Sequence, residues 1–221
     1  MKRTAVLLLI CAPVFAQVAG NANKDYQTHE GRENIAKRLA DPARNETQNP
    51  RAIVDALALK PGDAVADVGT GVGFMLPYLS HMVGDKGQVF AEDISNDFLD
   101  KARARVQQLN LKDVKFVLGN EHDPKLPADT LDGVLVLDAY HHFDYPQDML
   151  GRIRDSLLSD GRLVIADFYK RPEAMPGGRA MEHIRLDQDD VIKEVEAAGF
   201  RVSSKSELIP KSQYLVVFVK K

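Results

Sequence analysis

The run at residues 65–74 constrains the fold of this chain more than any other stretch. Residues 65–68 are typical of a buried strand, and Gly69, Gly71 and Gly73 follow at alternate positions before a helix begins. Glycines tolerate positive φ and carry no Cβ, so backbone N–H groups and a helix N-terminus can approach a ligand closely. The run therefore predicts a strand, turn and helix that cradle a nucleotide-type cofactor.

Asp67 lies two residues before the first glycine of this run. Its carboxylate would repel the pyrophosphate of a dinucleotide, whereas it would attract an ammonium or sulfonium group. We therefore expect the ligand to carry positive charge near the loop.

Strands and helices alternate through the rest of the chain. The predicted strands lie at residues 63–68, 87–93, 114–118, 133–137 and 162–166, followed by a pair at 202–208 and 214–219. The predicted helices lie at residues 74–82, 95–109, 147–158 and 188–198, with Ser95 as a helix cap. Short runs rich in Val, Leu and Ile indicate strands buried on both faces. This alternation predicts an α/β fold with a mainly parallel sheet, whose ligand crevice lies at the carboxyl ends of the strands.

The N-terminus has the pattern of a secretory signal peptide over residues 1–20. Lys2 and Arg3 precede an apolar run at residues 5–10, and small residues follow, with cleavage expected after Ala16 or after Gly20. A lipid anchor at Cys11 is disfavoured by the bulky residue before it, and an uncleaved membrane anchor stays an alternative. We expect an exported, periplasmic or secreted protein with a helical cap over residues 21–50 and one domain over residues 51–221.

Charge and cysteine content exclude several functions. Without residues 1–20 the chain keeps 27 basic and 32 acidic side chains, a net charge of −5, so nucleic acid is not an expected partner. Cys11 is the only cysteine, so the mature chain would have no disulfide and no thiolate nucleophile.

Five ordered motifs resemble those of the class I S-adenosylmethionine-dependent methyltransferases, across roughly residues 50–221. They are Asp67-Val68-Gly69-Thr70-Gly71-Val72-Gly73, Val89-Phe90-Ala91-Glu92-Asp93-Ile94-Ser95, Leu131-Asp132-Gly133-Val134-Leu135-Val136-Leu137, Leu158-Ser159-Asp160-Gly161-Arg162-Leu163 and Glu196-Ala197-Ala198-Gly199-Phe200. The resemblance implies a Rossmann-like three-layer sandwich, with a mostly parallel seven-stranded sheet and an antiparallel C-terminal strand. It also implies S-adenosyl-L-methionine as the cofactor.

The resemblance assigns cofactor contacts to positions at the strand ends. The candidate cofactor-binding residues are Asp67, Gly69, Thr70, Gly71, Gly73, Asp93, Ile94, Asn120, Glu121 and Asp138. Asp93 matches the carboxylate that accepts hydrogen bonds from the ribose hydroxyls, Ile94 matches an apolar neighbour of adenine, and Glu92 is expected to point the other way. Asn120 stands where the family often has Asp, so either an adenine contact or a plain turn role is open.

The segment 138–143 follows the fourth strand, where family members present residues beside the transferable methyl group. His141 or His142 suits a general base because imidazole titrates near neutral pH, although the pair could also merely order the loop. Tyr140 is expected to pack against the ligand. Adjacent histidines point in different directions and lack further ligands at a plausible spacing, so no metal site is expected.

We expect methyl transfer to a small-molecule or lipid-like acceptor. A nicotinamide-dependent oxidoreductase is an alternative, because an acidic residue also follows the glycine loop there, but Asp67 and the glycine spacing argue against it. An exported module that binds a cofactor or partner without catalysis is another, because export would remove the protein from the cytosol where S-adenosylmethionine is made. A membrane contact is expected only if the N-terminal segment is retained, and the sequence leaves the oligomeric state open.

Overall fold

The computed structural model describes residues 17–221 of the chain. The signal-peptide prediction thus lies almost wholly outside the described residues. Only residues 17–20 of that segment are described.

A seven-stranded sheet forms the centre of the described chain. Its strands are β1 Ala64–Val68, β2 Gln88–Asp93, β3 Val114–Leu118, β4 Leu131–Leu137, β5 Leu157–Phe168, β6 Phe200–Ile209 and β7 Gln213–Lys220. The spatial order is β3-β2-β1-β4-β5-β7-β6. The strands β1 to β5 pair in parallel, and β7 is antiparallel to both neighbours. The predicted Rossmann-like fold with one antiparallel C-terminal strand is confirmed.

Helices cover both faces of the sheet, and four of them precede β1 in the chain. They are α1 Gly20–Asn23, α2 His29–Leu39, α3 Arg44–Thr47, α4 Pro50–Leu57, α5 Leu76–Val83, α6 Asn96–Gln108, α7 Pro146–Ser156, α8 Ala180–His183 and α9 Gln188–Ala197. One apolar cluster packs α4 and α5 against one face of the sheet, and another packs α7 and α9 against the opposite face. Burial of apolar side chains is the main stabilising term in such a fold, and here it holds the helices on both faces of the sheet as three layers.

Two local predictions differ from the structure. The strand β3 is not buried on both faces, because it is the edge strand of the sheet and has no buried residue along its length. The Ser95 side chain makes no cap hydrogen bond to α6. Its backbone N–H instead donates to Asp93 Oδ1 at 2.9 Å, so the carboxylate of Asp93 holds the residue that precedes the helix.

Within residues 17–221, no helix is both long enough and apolar enough to span a membrane.

Candidate cofactor and active site

A cavity of about 570 Å³ lies at the carboxyl ends of β1, β2 and β4. Because β1 pairs with β2 on one side and with β4 on the other, the loops after these strands diverge there and leave a crevice. Residues of the N-terminal cap close the other side, including Asn23, Tyr26 and Arg44. The crevice predicted at this sheet edge is therefore a cavity in the structure, partly covered by the cap.

Gly69, Thr70 and Gly71 of the glycine loop line this cavity, whereas the predicted Gly73 does not and packs instead against Leu76 and Ala102. Gly69 has a φ of 73°, and a Cβ there would lie 2.7 Å from the Cβ of Ala139. Any larger residue would therefore meet both backbone strain and a clash. Beside the loop, Thr70 Oγ1 donates to Asp67 Oδ2 at 2.7 Å. Burial raises the pKa of Asp67 to about 6, although the hydrogen bond from Thr70 lowers it. A cationic ligand beside Asp67 would favour the charged form of the carboxyl group.

Asp93 links the end of β2 to the glycine loop. Its Oδ2 accepts the N–H of Gly71 at 2.9 Å, in addition to the Ser95 bond at Oδ1. Burial raises its pKa to about 6, and the backbone hydrogen bonds oppose that shift. The next side chain, Ile94, lines the cavity and is 54% exposed, which leaves an apolar surface for a ligand. Both predicted residues lie in the cavity wall.

Glu92 is a functional candidate that the sequence interpretation directed away from the cavity. In the structure it belongs to the cavity wall, and its Oε2 accepts the N–H of Gly69 at 3.2 Å. Its Oε1 is buried with no hydrogen-bond partner among the described residues. Burial, followed by the charge of Asp93, raises the pKa of Glu92 well above its ordinary value. A carboxyl group inside an apolar strand was the sequence signal that could have found it.

Asn120 and Glu121 both line the cavity after β3. The oxygen of Asn120 accepts the backbone N–H groups of His122 and Asp123, each at 2.9 Å. The turn role is therefore present in the structure. The side-chain amide nitrogen remains the group of Asn120 that could donate to a ligand.

Asp138 follows β4 with a φ of 52° and also lines the cavity. Its Oδ2 accepts from Arg44 at 3.1 Å, and its Oδ1 accepts from Gln213 at 2.5 Å. Burial raises the pKa of Asp138 to about 7, although Arg44 lowers it. Arg44 also stacks over the ring of Phe74 at 4.5 Å. Arg44 thus joins the cap to the site, which no sequence motif indicated.

The two candidate bases differ in position. His142 lies in the cavity wall, whereas His141 is buried behind it with Nδ1 2.7 Å from Asp167 Oδ1. The ring of Tyr26 packs edge-on against His142 at 4.6 Å between centroids. Burial, together with the charge of His141, holds the pKa of His142 well below its ordinary value, so this imidazole is neutral at pH 7.

Other polar residues near the site serve structural contacts. Tyr140 is buried in the core and donates to Glu194 at 2.6 Å, so it does not line the cavity as predicted. Arg185 pairs with the same Glu194, and Asp187 accepts the backbone N–H of Lys170 at 3.1 Å. These contacts hold the segment between β5 and α9 in place.

The strand order, glycine loop and carboxylate after β2 define the class of Rossmann-like proteins that bind a nucleoside cofactor. Residues 66–165 match the family model described as a methyltransferase domain. A solved S-adenosylmethionine-dependent methyltransferase from Aquifex aeolicus is 32% identical, with a TM-score of 0.77 over 85% of this chain and 98% of that one. The chain belongs to the family of S-adenosylmethionine-dependent methyltransferases.

Curated relatives match over shorter segments. A ubiquinone/menaquinone biosynthesis C-methyltransferase from Vibrio campbellii is 27% identical over 54% of this chain and 47% of its own. A protein-L-isoaspartate O-methyltransferase from Methanococcus aeolicus is 37% identical over 31% of this chain and 32% of its own. The chain thus spans half or less of the length of these relatives.

The residues of the cavity fit S-adenosylmethionine, which is the family's cofactor. Gly69 leaves space that a Cβ would fill, and Asp67 offers negative charge beside the loop. Asp93 presents a carboxylate that would accept hydrogen bonds from the ribose hydroxyls. The next residue, Ile94, presents an apolar surface for adenine. The orphaned Glu92 Oε1 provides one further acceptor close to the loop.

Proposed function

We propose that this chain transfers the methyl group of S-adenosylmethionine to a small-molecule or lipid-like acceptor. The cavity carries the proposal, because it joins the cofactor residues of the β1 and β2 ends to the histidine segment after β4. Its volume of about 570 Å³ is in the ordinary range for small-molecule sites. The N-terminal cap narrows access to it, which favours a small acceptor over a folded protein.

When bound, S-adenosylmethionine supplies a methyl group on a positively charged sulfur. The chain's own task is to align the acceptor with that methyl group and to remove the acceptor's proton. Asp67 lies beside the glycine loop, where its carboxylate would attract the positive charge. Asp93 and Ile94 would orient the nucleoside at the other end of the loop.

His142 is the proposed proton acceptor. Its Nδ1 lies 2.8 Å from the side-chain oxygen of Asn23. The Asn23 amide nitrogen donates to the backbone carbonyl oxygen of His142 and to Asp144 Oδ2, each at 3.0 Å. Because these two partners can only accept, the amide orientation is fixed and His142 Nδ1 must carry the hydrogen. The Nε2 atom therefore keeps its lone pair and can take the acceptor's proton.

We also propose export, with cleavage of the N-terminal segment after Ala16. Residues just beyond that point belong to the fold: the backbone N–H groups of Val18 and Ala19 donate to Asp144 at 3.3 and 3.0 Å. Ala19 is buried at 2% exposure. Cleavage after Gly20 would remove these contacts from the site, so the earlier position is favoured.

Calorimetry on the purified chain tests the cofactor end of the proposal. We expect S-adenosylmethionine and S-adenosylhomocysteine to bind, and NADH not to bind. Asp93→Ala should weaken the affinity by about 10-fold to 100-fold, as expected for loss of a charge-assisted hydrogen bond. Asp100→Ala is the matched control, because this carboxylate lies on the exposed face of α6 and, within residues 17–221, pairs with Arg103 at the surface.

Transfer of labelled methyl groups tests the acceptor end. Incubation with a cell extract should place the label in the small-molecule or lipid fraction, and Asp93→Ala should reduce that label. Label confined to protein would contradict the proposed acceptor class. Cofactor binding without any transfer would instead identify a silent cofactor-binding module, and NADH binding alone would point to an oxidoreductase.

A further inference from the structure

Three histidines meet beside the cavity although they come from two distant segments. His141 and His142 belong to the turn after β4, and His183 ends the short helix α8. One imidazole nitrogen from each lies within 4.8 Å of one from each of the others. The whole chain has only six histidines, so half of them gather at this point. The third ligand that the sequence interpretation found lacking is therefore present in the structure.

Asp167 orients the first histidine from the end of β5. It is buried at 1% exposure, and its Oδ1 lies 2.7 Å from His141 Nδ1 while its Oδ2 accepts the backbone N–H of His141 at 3.0 Å. A carboxylate at Nδ1 holds the hydrogen there and leaves the lone pair on Nε2. Carboxylate contacts of this kind accompany most metal-bound histidines and raise their basicity as ligands.

Asn23 fixes the second histidine in the same way. As argued above, its amide orientation places the hydrogen of His142 on Nδ1, so Nε2 is again the atom with a free lone pair. A buried carboxylate and an amide thus impose one tautomer on two neighbouring rings. The ring centroids of His141 and His142 are 4.1 Å apart, and His183 lies 5.0 and 5.5 Å from them.

Burial and a neighbouring charge disfavour protonation of two of the three rings. Burial, and then the charge of His141, lowers the pKa of His183 to about 4. The pKa of His142 is lowered by the same two causes. The charged groups around the cluster are Asp167, Arg179 and Asp25, and the last two lie 3.7 Å apart as a surface pair. Protons therefore compete weakly for the nitrogens of His142 and His183 at neutral pH.

We propose that His141, His142 and His183 bind one first-row transition-metal ion, with Zn²⁺ as the representative. Zinc bonds to histidine are about 2.0–2.1 Å long, so three ligands around one ion draw together by roughly 1 Å from their present spacing. Three protein ligands leave a fourth position open, as in catalytic zinc sites. The proposal rests on the ligand geometry and not on the proposed methyl transfer.

Metal binding and proton transfer at His142 exclude each other, since both need the Nε2 lone pair. In the metal-loaded protein, a hydroxyl acceptor that coordinates the ion would have a lowered pKa and would need no imidazole base. The three histidines would thus be ligands in the metal-loaded protein, and His142 would be the proton acceptor in the metal-free protein.

Titration of the untagged, metal-stripped chain with Zn²⁺ and Co²⁺ tests the site. We expect one Zn²⁺ per chain by elemental analysis and a Co²⁺ visible absorption band typical of four or five ligands. His183→Ala should abolish the one-to-one binding, and Asp167→Asn should weaken it by about 10-fold to 100-fold through the loss of the orienting carboxylate.

His81→Ala is the matched control, because this histidine is exposed on α5 and should leave the affinity unchanged. Cooperative thermal unfolding of each metal-free variant shows that it is folded. Zinc binding that survives His183→Ala, or that disappears with His81→Ala, would overturn the proposal. So would a folded wild-type chain that binds neither metal stoichiometrically.

Discussion

At the residue scale, the cofactor end of the site depends on backbone conformation as much as on side chains. Asp93 holds the N–H groups of both the glycine loop and the start of α6. Asp67, Glu92 and Asp138 lie buried around the same cavity with raised pKa values. Burying four carboxyl groups lowers the free energy of unfolding. Such a cluster of raised pKa values is typical of a functional site that binds a charged ligand.

Substitutions at Gly69 and Gly62 distinguish two reasons for a glycine, which are a positive φ and the lack of space for a Cβ. Both have positive φ, at 73° and 100°, but a Cβ on Gly62 would meet nothing within 4 Å. We expect Gly62→Ala to lower the free energy of unfolding by about 1–2 kcal/mol through backbone strain alone. Gly69→Ala should cost more and should also weaken S-adenosylmethionine binding, because of the clash with Ala139.

Chemical denaturation and calorimetry on both variants measure this difference. Equal losses of stability, with unchanged cofactor affinity in each, would show that the glycine loop does not need the space at position 69.

At the element scale, the N-terminal cap is part of the site. The helix α3 contributes Arg44 to Asp138, and α1 contributes Asn23 to His142. The segment α8 adds His183 from the opposite side of the turn after β4. These three elements are only four residues long each, so packing against the domain, and not helix propensity, must hold them in place.

The ion pair of Arg44 with Asp138 gives a pH-dependent prediction. Asp138 has a folded-state pKa of about 7, raised above its unfolded value, so its contribution to stability is present at low pH and is lost as pH rises through 7. Arg44→Gln should raise that pKa further. We therefore expect a loss of about 1–3 kcal/mol at pH 8 and a smaller one at pH 5.5, where Asp138 is already protonated.

Arg51→Gln is the control, because Arg51 is 92% exposed and pairs with Asp55 at 3.8 Å on the surface of α4. Its effect should stay within about 0.5 kcal/mol at both pH values. A loss for Arg44→Gln that does not depend on pH would refute the electrostatic role given to this pair.

At the scale of the whole molecule, the fold follows from the alternation of strands and helices. The described chain places β1 between β2 and β4, which opens the crevice, and adds β6 and β7 at the far edge. Family membership fixes the cofactor, but the relatives named for acceptors match only part of their length. The proposed acceptor class therefore rests on the cavity and not on these relatives.

Processing of the N-terminus is a prediction about the whole chain. The signal-peptide pattern predicts that the protein leaves the cytoplasm, and the contacts of Val18 and Ala19 with Asp144 favour a mature N-terminus at Gln17. N-terminal sequencing after cell fractionation measures both. An intact N-terminus in a membrane fraction, with the domain protected from external protease, would exclude export.

The sequence determined the layered fold, the strand ends and the glycine loop, because these depend on periodicity and on neighbours within a few residues. The charge argument for Asp67 and the family resemblance for Asp93 and Ile94 pointed to residues that line the cavity in the structure. Only the tertiary structure decided the roles of Asn23, Arg44 and His183. Asn23 and His142, for example, are 119 residues apart, and their contact depends on how distant segments pack, which no local pattern records.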